Sequence, residues 1–137
     1  MPDKAFIDTN VFIYYQRADN PHKQAIAKNL LETNNCVAST QVINEISNIL
    51  TKKYPTLEKE IELFLQDVTE YYEIITTSVS LTFSALKIHF KHKFSFFDSL
   101  IIAAALEANC NIIYTEDMQH GQVIDNTLKI VNPFRKR

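Results

Sequence analysis

The sequence predicts an α/β fold with a mostly parallel sheet covered by helices on both faces, and three observations predict it. Short β-branched and aromatic runs alternate with stretches of ten or more residues at helical spacing, the pattern of βαβ units. Capping residues stand where the helical stretches begin: Asn20-Pro21, Ser39 or Thr40, Ser78 or Ser80, and Ser95. No repeat, low-complexity segment or long linker divides the 137 residues, a length that at roughly 150 residues per domain fits a single domain spanning 1–137.

Each element has its own local reason. Lys4 to Ile7 reads as a first strand, ending at the Asp8-Thr9-Asn10 turn. Val11 to Gln16 supplies the first helical turns after it. Asp19-Asn20-Pro21 opens a helix, because proline lacks the N–H that a first helical residue leaves unbonded anyway. That helix runs to about Glu32, where Thr33-Asn34-Asn35 stops it, and Cys36-Val37-Ala38 is a second strand. A helix capped by Ser39 or Thr40 extends to about Lys52. Pro55-Thr56 restarts the chain into another, with Ile61, Phe64, Leu65 and Val68 at helical spacing. Tyr71 to Thr76 is β-branched and aromatic and reads as a third strand. Ser78 or Ser80 begins a helix to about Lys91, and Ser95 caps one to about Ala108. Ile112 to Tyr114 is a fourth strand and Leu128 to Val131 a fifth.

Composition removes several chemistries. Hydrophobic residues make up 46% and charged residues 22%, ordinary values for a soluble domain. The longest apolar stretch, Leu100 to Leu106, is far below the ~20 residues of a membrane span. Met1-Pro2-Asp3-Lys4 leads into strand-like sequence without a signal-peptide core, so the expected location is the cytoplasm, without membrane attachment. The chain holds one glycine, Gly121. Dinucleotide fingerprints, Walker phosphate loops and nucleophile elbows each need more than one, and all are absent. Cys36 and Cys110 lie far apart in or beside apolar segments and read as buried free thiols. His22, His89, His92 and His120 show no zinc spacing. Chemistry here falls to oxygen ligands, hydroxyls or amides.

Four acidic residues stand out. Asp8 and Asp117 each follow the carboxyl end of a strand, where open parallel sheets bind ligands. Each alone also suits a turn or a cap. Asp98 begins a helix, Phe96 to Leu106, that is apolar nearly all round and therefore buried. A carboxylate there must be paired, hold a metal or stay protonated. Three residues after Ser95, it also suits the helix N-terminus and its positive dipole end. Glu45 sits at the border of an apolar face made by positions 42, 43, 46, 49 and 50, where a solvated or surface-paired glutamate is equally at home. Two like charges about 4 Å apart repel by ~4 kcal/mol at an effective dielectric of 20. Four acids converging on one cleft would therefore call for protonation or a cation. Donors that are all oxygen favour Mg²⁺ or Mn²⁺, which can position a phosphodiester and acidify an attacking water.

The residues Asp8-Thr9-Asn10, Asn44-Glu45-Ile46, Phe97-Asp98-Ser99-Leu100-Ile101-Ile102-Ala103 and Thr115-Glu116-Asp117-Met118 resemble the motifs of PIN-domain ribonucleases. The compact length and the ending from Gly121 to Pro133 look most like VapC-type toxins of type II toxin–antitoxin pairs. The likeness runs from Asp8 to about Pro133. It implies an α/β/α sandwich and a Mg²⁺- or Mn²⁺-dependent endoribonuclease. It further implies that Asp8, Glu45, Asp98 and Asp117 are the catalytic metal-holding acids, with Thr115 supporting them and Asn10 orienting the first aspartate. Glu45 would be a further ligand or orient the attacking water, which would displace the 3′ oxygen in line without a covalent intermediate. Phe97 stands where Trp or Tyr is frequent. The implied partners are RNA, a small cognate antitoxin laid across the groove, and a second copy of the chain in a homodimer.

Net charge is −2, from 14 basic and 16 acidic residues, and setting aside the four proposed ligands turns the balance to +2. Lys87, Lys91 and Lys93, interleaved with Phe90 and Phe94, suit RNA phosphates and bases, and suit equally a solvated helix end complementing its dipole. The Arg135-Lys136-Arg137 tail is open to the same two readings. Two other functions compete. An aspartate-dependent phosphatase also begins with an aspartate after its first strand, but it needs a second one two residues on, where this chain has Asn10. A non-catalytic RNA- or protein-binding module would bind without divalent metal and without cleavage.

Overall fold

The computed structural model describes residues 3–135; Lys136 and Arg137 of the basic tail, and the first two residues, lie outside that range. In chain order the elements are β1 (Lys4–Ile7), α1 (Thr9–Gln16), α2 (Pro21–Thr33), β2 (Asn35–Ser39), α3 (Thr40–Lys52), α4 (Glu58–Tyr71), β3 (Glu73–Ile75), α5 (Val79–His92), α6 (Phe96–Glu107), β4 (Ile112–Tyr114), β5 (Val123–Ile124) and β6 (Leu128–Val131). The strands form one sheet in the order β3-β2-β1-β4-β6-β5, parallel throughout except for the antiparallel pair β5–β6.

Successive strand residues face opposite sides of a sheet. Ala5, Phe6 and Ile7 in β1 and Cys36, Val37 and Ala38 in β2 are all buried, so both faces are covered. Helices α1 to α4 pack as one contiguous group, and α5 with α6 as another. The helix starts follow the capping signals: Asn20, Ser39, Ser78 and Ser95 accept from Lys23, Val42, Leu81 and Asp98 N–H respectively. Helix α6 is buried from Ser99 through Ala105. Leu100, Ile101 and Ile102 each contribute about 1.5–3 kcal/mol on full burial, and this fixes the axis whose first turn carries Asp98.

The sequence reading needs three adjustments. The helix expected to restart at Pro55-Thr56 begins at Glu58, behind an uncapped Leu57, where Glu58 and Glu60 offset the dipole instead. Tyr71 closes α4 rather than opening β3, because the Tyr72 N–H still bonds to the Val68 carbonyl. The edge strand β5 had no recognised signal. Its turn to β6 places Asp125 at φ 50° and Asn126 at φ 62°, and Thr127 N–H closes it on the Ile124 carbonyl. This is a primed hairpin turn made without glycine. Phe12, fully buried, belongs to the core. Both cysteines are buried free thiols, pushed up to about 11 for Cys36 and about 12 for Cys110 by desolvation. No helix among the described residues is long and apolar enough to cross a membrane.

Candidate functional site

From β1 the chain builds outward to β2 and β3, then returns through α5 and α6 to β4 on the other side of β1. That reversal makes the crevice at the carboxyl ends of β1 and β4 the topological switch point, where open α/β sheets take ligands. Asp8 is the residue after β1, and Thr115, Glu116 and Asp117 follow β4. Helix α3, after β2, brings Glu45, and the first turn of α6 brings Asp98.

Asp8 is held most firmly. It is 7% exposed, and its Oδ1 accepts the Thr9 N–H at 2.7 Å as the cap of α1. Its Oδ2 accepts the Thr115 hydroxyl at 2.7 Å. Desolvation nevertheless dominates and raises its pKa to about 6, with the charges of Glu45 and Asp117 pushing the same way. The Thr115 oxygen also accepts the Asp117 N–H at 3.2 Å, so one buried hydroxyl ties two of the acids together. Glu45 is half-buried; Thr9 Oγ1 donates to its Oε2 at 2.6 Å and Gln41 Nε2 to its Oε1 at 3.1 Å. Asn10 donates to Asp117 Oδ2 at 3.0 Å. Asn10 therefore holds the fourth acid and not, as the resemblance implied, the first, whose oxygens are taken up by Thr9 and Thr115.

Asp98 is half-buried, its N–H on Ser95 Oγ at 3.1 Å. Its pKa is raised by desolvation and by Glu45, against a hydrogen bond with Ser95. The pKa of exposed Asp117 is also raised, by desolvation and then by Glu116, Asp98 and Glu45. The charges of the four acids thus act on one another across the crevice, and Ser95, not Asp98, supplies the side-chain cap of α6.

No ion pair among the described residues engages Asp8, Glu45, Asp98 or Asp117. Nor do any three acidic, histidine or cysteine side chains among them stand close enough to form a ready-made cation cage. The donors nonetheless suit a hard divalent cation: all are oxygens, and the one buried carboxylate lacks a basic partner. Lys87 and Lys93 are exposed, and Lys91 pairs with Asp125 on the β5–β6 turn at 3.4 Å. None of the three lysines is brought onto the acid cluster by a hydrogen bond or ion pair among the described residues.

The sequence reading missed several supporting residues. Thr9 and Gln41 hold Glu45; the latter was legible as an i, i+4 amide–carboxylate pair. Tyr14, Lys23 and Glu116 form a cluster beside Asp117. The Tyr14 hydroxyl donates to Glu116 Oε1 at 2.5 Å, and Lys23 Nζ reaches Glu116 Oε2 at 3.1 Å and Tyr14 Oη at 3.0 Å. The two contacts to Glu116 span 93 and 102 residues, and no local pattern announces them.

Comparison with known families matches residues 5–124 to the PIN domain. Among curated proteins no sequence match is found. Among solved structures, a toxin–antitoxin complex from Klebsiella pneumoniae superposes with TM-score 0.70 at 19% identity, covering 96% of this chain and 99% of that one. Mycobacterium tuberculosis VapC20, described as a sarcin–ricin-loop-cleaving toxin, gives 0.68 at 17% identity over 82% and 89% of the two chains. VapBC2 from Rickettsia felis, bound to a fragment of its promoter DNA, gives 0.66 at 18% identity over 94% and 99%. At these identities the likeness shows the fold.

Proposed function

The chain belongs to the PIN-domain family, and we propose that it is a Mg²⁺- or Mn²⁺-dependent endoribonuclease, the toxin of a type II toxin–antitoxin pair. The observation that carries the proposal is the convergence of Asp8, Glu45, Asp98 and Asp117, from four separate segments, on the switch-point crevice without a basic partner among the described residues. Such a cluster is electrostatically costly to the fold and is explained by a cation that it holds in use. When bound, the metal supplies positive charge to a phosphodiester and makes an attacking water more acidic.

The chain's own residues do the rest. Thr9 and Thr115 fix the Asp8 carboxylate in one orientation, so the principal acid is aimed before any ligand arrives. Asn10 and the Thr115 oxygen hold Asp117 on the facing side. Gln41 and Thr9 set Glu45, which orients the incoming water or adds a further carboxylate oxygen. An aspartate-dependent phosphatase needs a second aspartate two residues after the first, and this chain has Asn10 there, its amide turned to Asp117. The toxin assignment is supported by the Klebsiella and Rickettsia neighbours, toxin–antitoxin proteins themselves. We extend from them a small antitoxin partner, and the homodimer that the family resemblance implies is testable by light scattering on the purified chain.

The direct test is total RNA incubated with wild type and Asp98→Asn in Mg²⁺, Mn²⁺ or EDTA. Discrete fragments that need metal and vanish in the variant are expected. Absence of cleavage under every condition, with the fold verified and no antitoxin present, would overturn the proposal in favour of a binding module.

A further inference from the structure

Beside the acid cluster, on the far side of Glu45, lies a groove of about 420 Å³ between α3 and the start of α6. Gln41, Asn44, Glu45, Asn48, Phe97 and Leu100 line it. Its volume falls within the roughly 300–1,000 Å³ of small-ligand sites. Gln41 closes the boundary with the acids, donating from one Nε2 to Glu45 Oε1 at 3.1 Å and to the Phe97 carbonyl at 3.3 Å. Asn44 and Asn48, one helical turn apart, are exposed, and neither side-chain amide has a hydrogen-bond partner among the described residues. Phe97 is 66% exposed, though it lies in the first turn of α6, whose residues from Ser99 to Ala105 are buried.

We propose that this groove is a nucleobase subsite that takes one unpaired base of the RNA next to the cleaved phosphate, stacked on Phe97 and read by Asn44 and Asn48. The inference rests on the nuclease reading given above and deepens it. The chemistry of the lining selects a base over the RNA backbone. The only charged residue lining the groove is Glu45 and no lysine or arginine lines it, so a phosphate is repelled there. An exposed aromatic face with amide donors and acceptors beside it is the equipment proteins use on splayed single-stranded bases. The Glu45 carboxylate further favours bases that present an exocyclic amino donor, which adenine, cytosine and guanine have and uracil lacks.

The test separates subsite from nuclease. Binding is measured by fluorescence anisotropy with short labelled single-stranded RNAs in an Asp8→Asn background, which prevents cleavage. Cleavage positions are mapped by sequencing fragment ends made by the otherwise unaltered enzyme. Phe97→Ala is expected to weaken RNA binding by roughly tenfold or more, within the range of one stacked base, and Phe97→Tyr to restore it where Phe97→Leu does not. Asn44→Ala and Asn48→Ala are expected to relax the base preference at one position beside the cut, with oligo-uridine the weakest ligand of the parent protein. Unchanged affinity and an unchanged cleavage profile in all of these variants, with metal-dependent cleavage intact in the parent, would overturn the subsite while leaving the nuclease standing. Variants that keep both but escape inhibition by the antitoxin would reassign the groove to the protein partner, and also overturn it. A parent that neither binds nor cuts RNA would remove both readings together.

Discussion

Glu116 and Asp117 are neighbours in one loop after β4, yet the fold treats them in opposite ways. Glu116 receives the Tyr14 hydroxyl and the Lys23 ammonium, and Lys23 lies 4.5 Å from the centre of the Tyr14 ring. Phe134 packs edge-on against the same ring at 4.9 Å. Asp117 receives an amide from Asn10 and faces three other acids without a base. The first carboxylate is satisfied within the protein and pins α1, α2 and the β4 loop together. The second is left with a demand that the chain itself does not meet. A charge that is fully partnered holds structure; the proposed function assigns the acids without a basic partner to a ligand.

That contrast breaks if the unpartnered acids turn out to hold the fold. The largest expected effect is on Asp8→Asn and Asp98→Asn. Each should lower RNA cleavage by at least about a hundredfold, since loss of residues that merely support a metal ligand already costs 10–100-fold. Thermal unfolding in EDTA should show the variants at least as stable as wild type. A variant that keeps full activity, or one that unfolds, would dissolve the distinction.

The next effect is a pH dependence. Asp8 binds its proton more tightly in the folded state, at about 6 against an ordinary 3.8. Folding is therefore favoured with Asp8 protonated, and stability is lost as pH rises from about 4 through 6. The loss is roughly 3 kcal/mol for a shift of this size. Urea unfolding at pH 4.5 and 7 in EDTA should reveal that slope in wild type and a shallower one in Asp8→Asn, where Asp98 and Asp117 still contribute. Added Mg²⁺ or Mn²⁺ should diminish it. A wild type and variant with identical slopes would contradict the assignment.

Thr115→Ala should cost about 10–100-fold in cleavage, as removal of a group that orients a metal ligand does. It frees Asp8 Oδ2 and the Asp117 N–H at once. Thr115→Ser, which keeps the hydroxyl, should recover most of the rate. The smallest effect belongs to the satisfied side of the comparison. Tyr14→Phe removes two hydrogen bonds, to Glu116 and from Lys23, and should lower stability by about 1 kcal/mol for each. At this chain length each kcal/mol is about 4 °C in Tm, and cleavage should stay within about threefold of wild type, against the hundredfold loss of the acid variants. A loss of activity without a loss of stability would place Glu116 in the reacting cluster after all.

Much of this was legible because its causes are local. A cap followed by an apolar run makes a helix wherever it occurs, and the starts at Asn20, Ser39, Ser78 and Ser95 follow that rule. Asp98 was conspicuous because its helix is apolar all round, and Asp8 and Asp117 because each follows a strand. The misreadings are also local in origin. Tyr71 has a strand-former's side chain, but the helical hydrogen-bond ladder runs on past it. The β5–β6 turn places Asp125 and Asn126 in the left-handed region with no glycine to advertise it. Asn10 stands two residues from Asp8, yet the start of α1 turns its amide across to Asp117.

The sequence by itself determined the alternation of strands and helices and most of the helix starts, and it singled out Asp8, Asp98 and Asp117 as candidates, because these follow from side-chain periodicity, capping chemistry and position after a strand. Only the tertiary structure decided that the acids border one crevice, that Thr115 reaches Asp8 across 107 residues, and that Lys23 pairs with Glu116 and not with Asp117. The reason is physical. Periodicity and caps act over a few residues along the chain, whereas charge, burial and hydrogen bonding act through space. The order in which strands join the sheet decides which distant residues share that space.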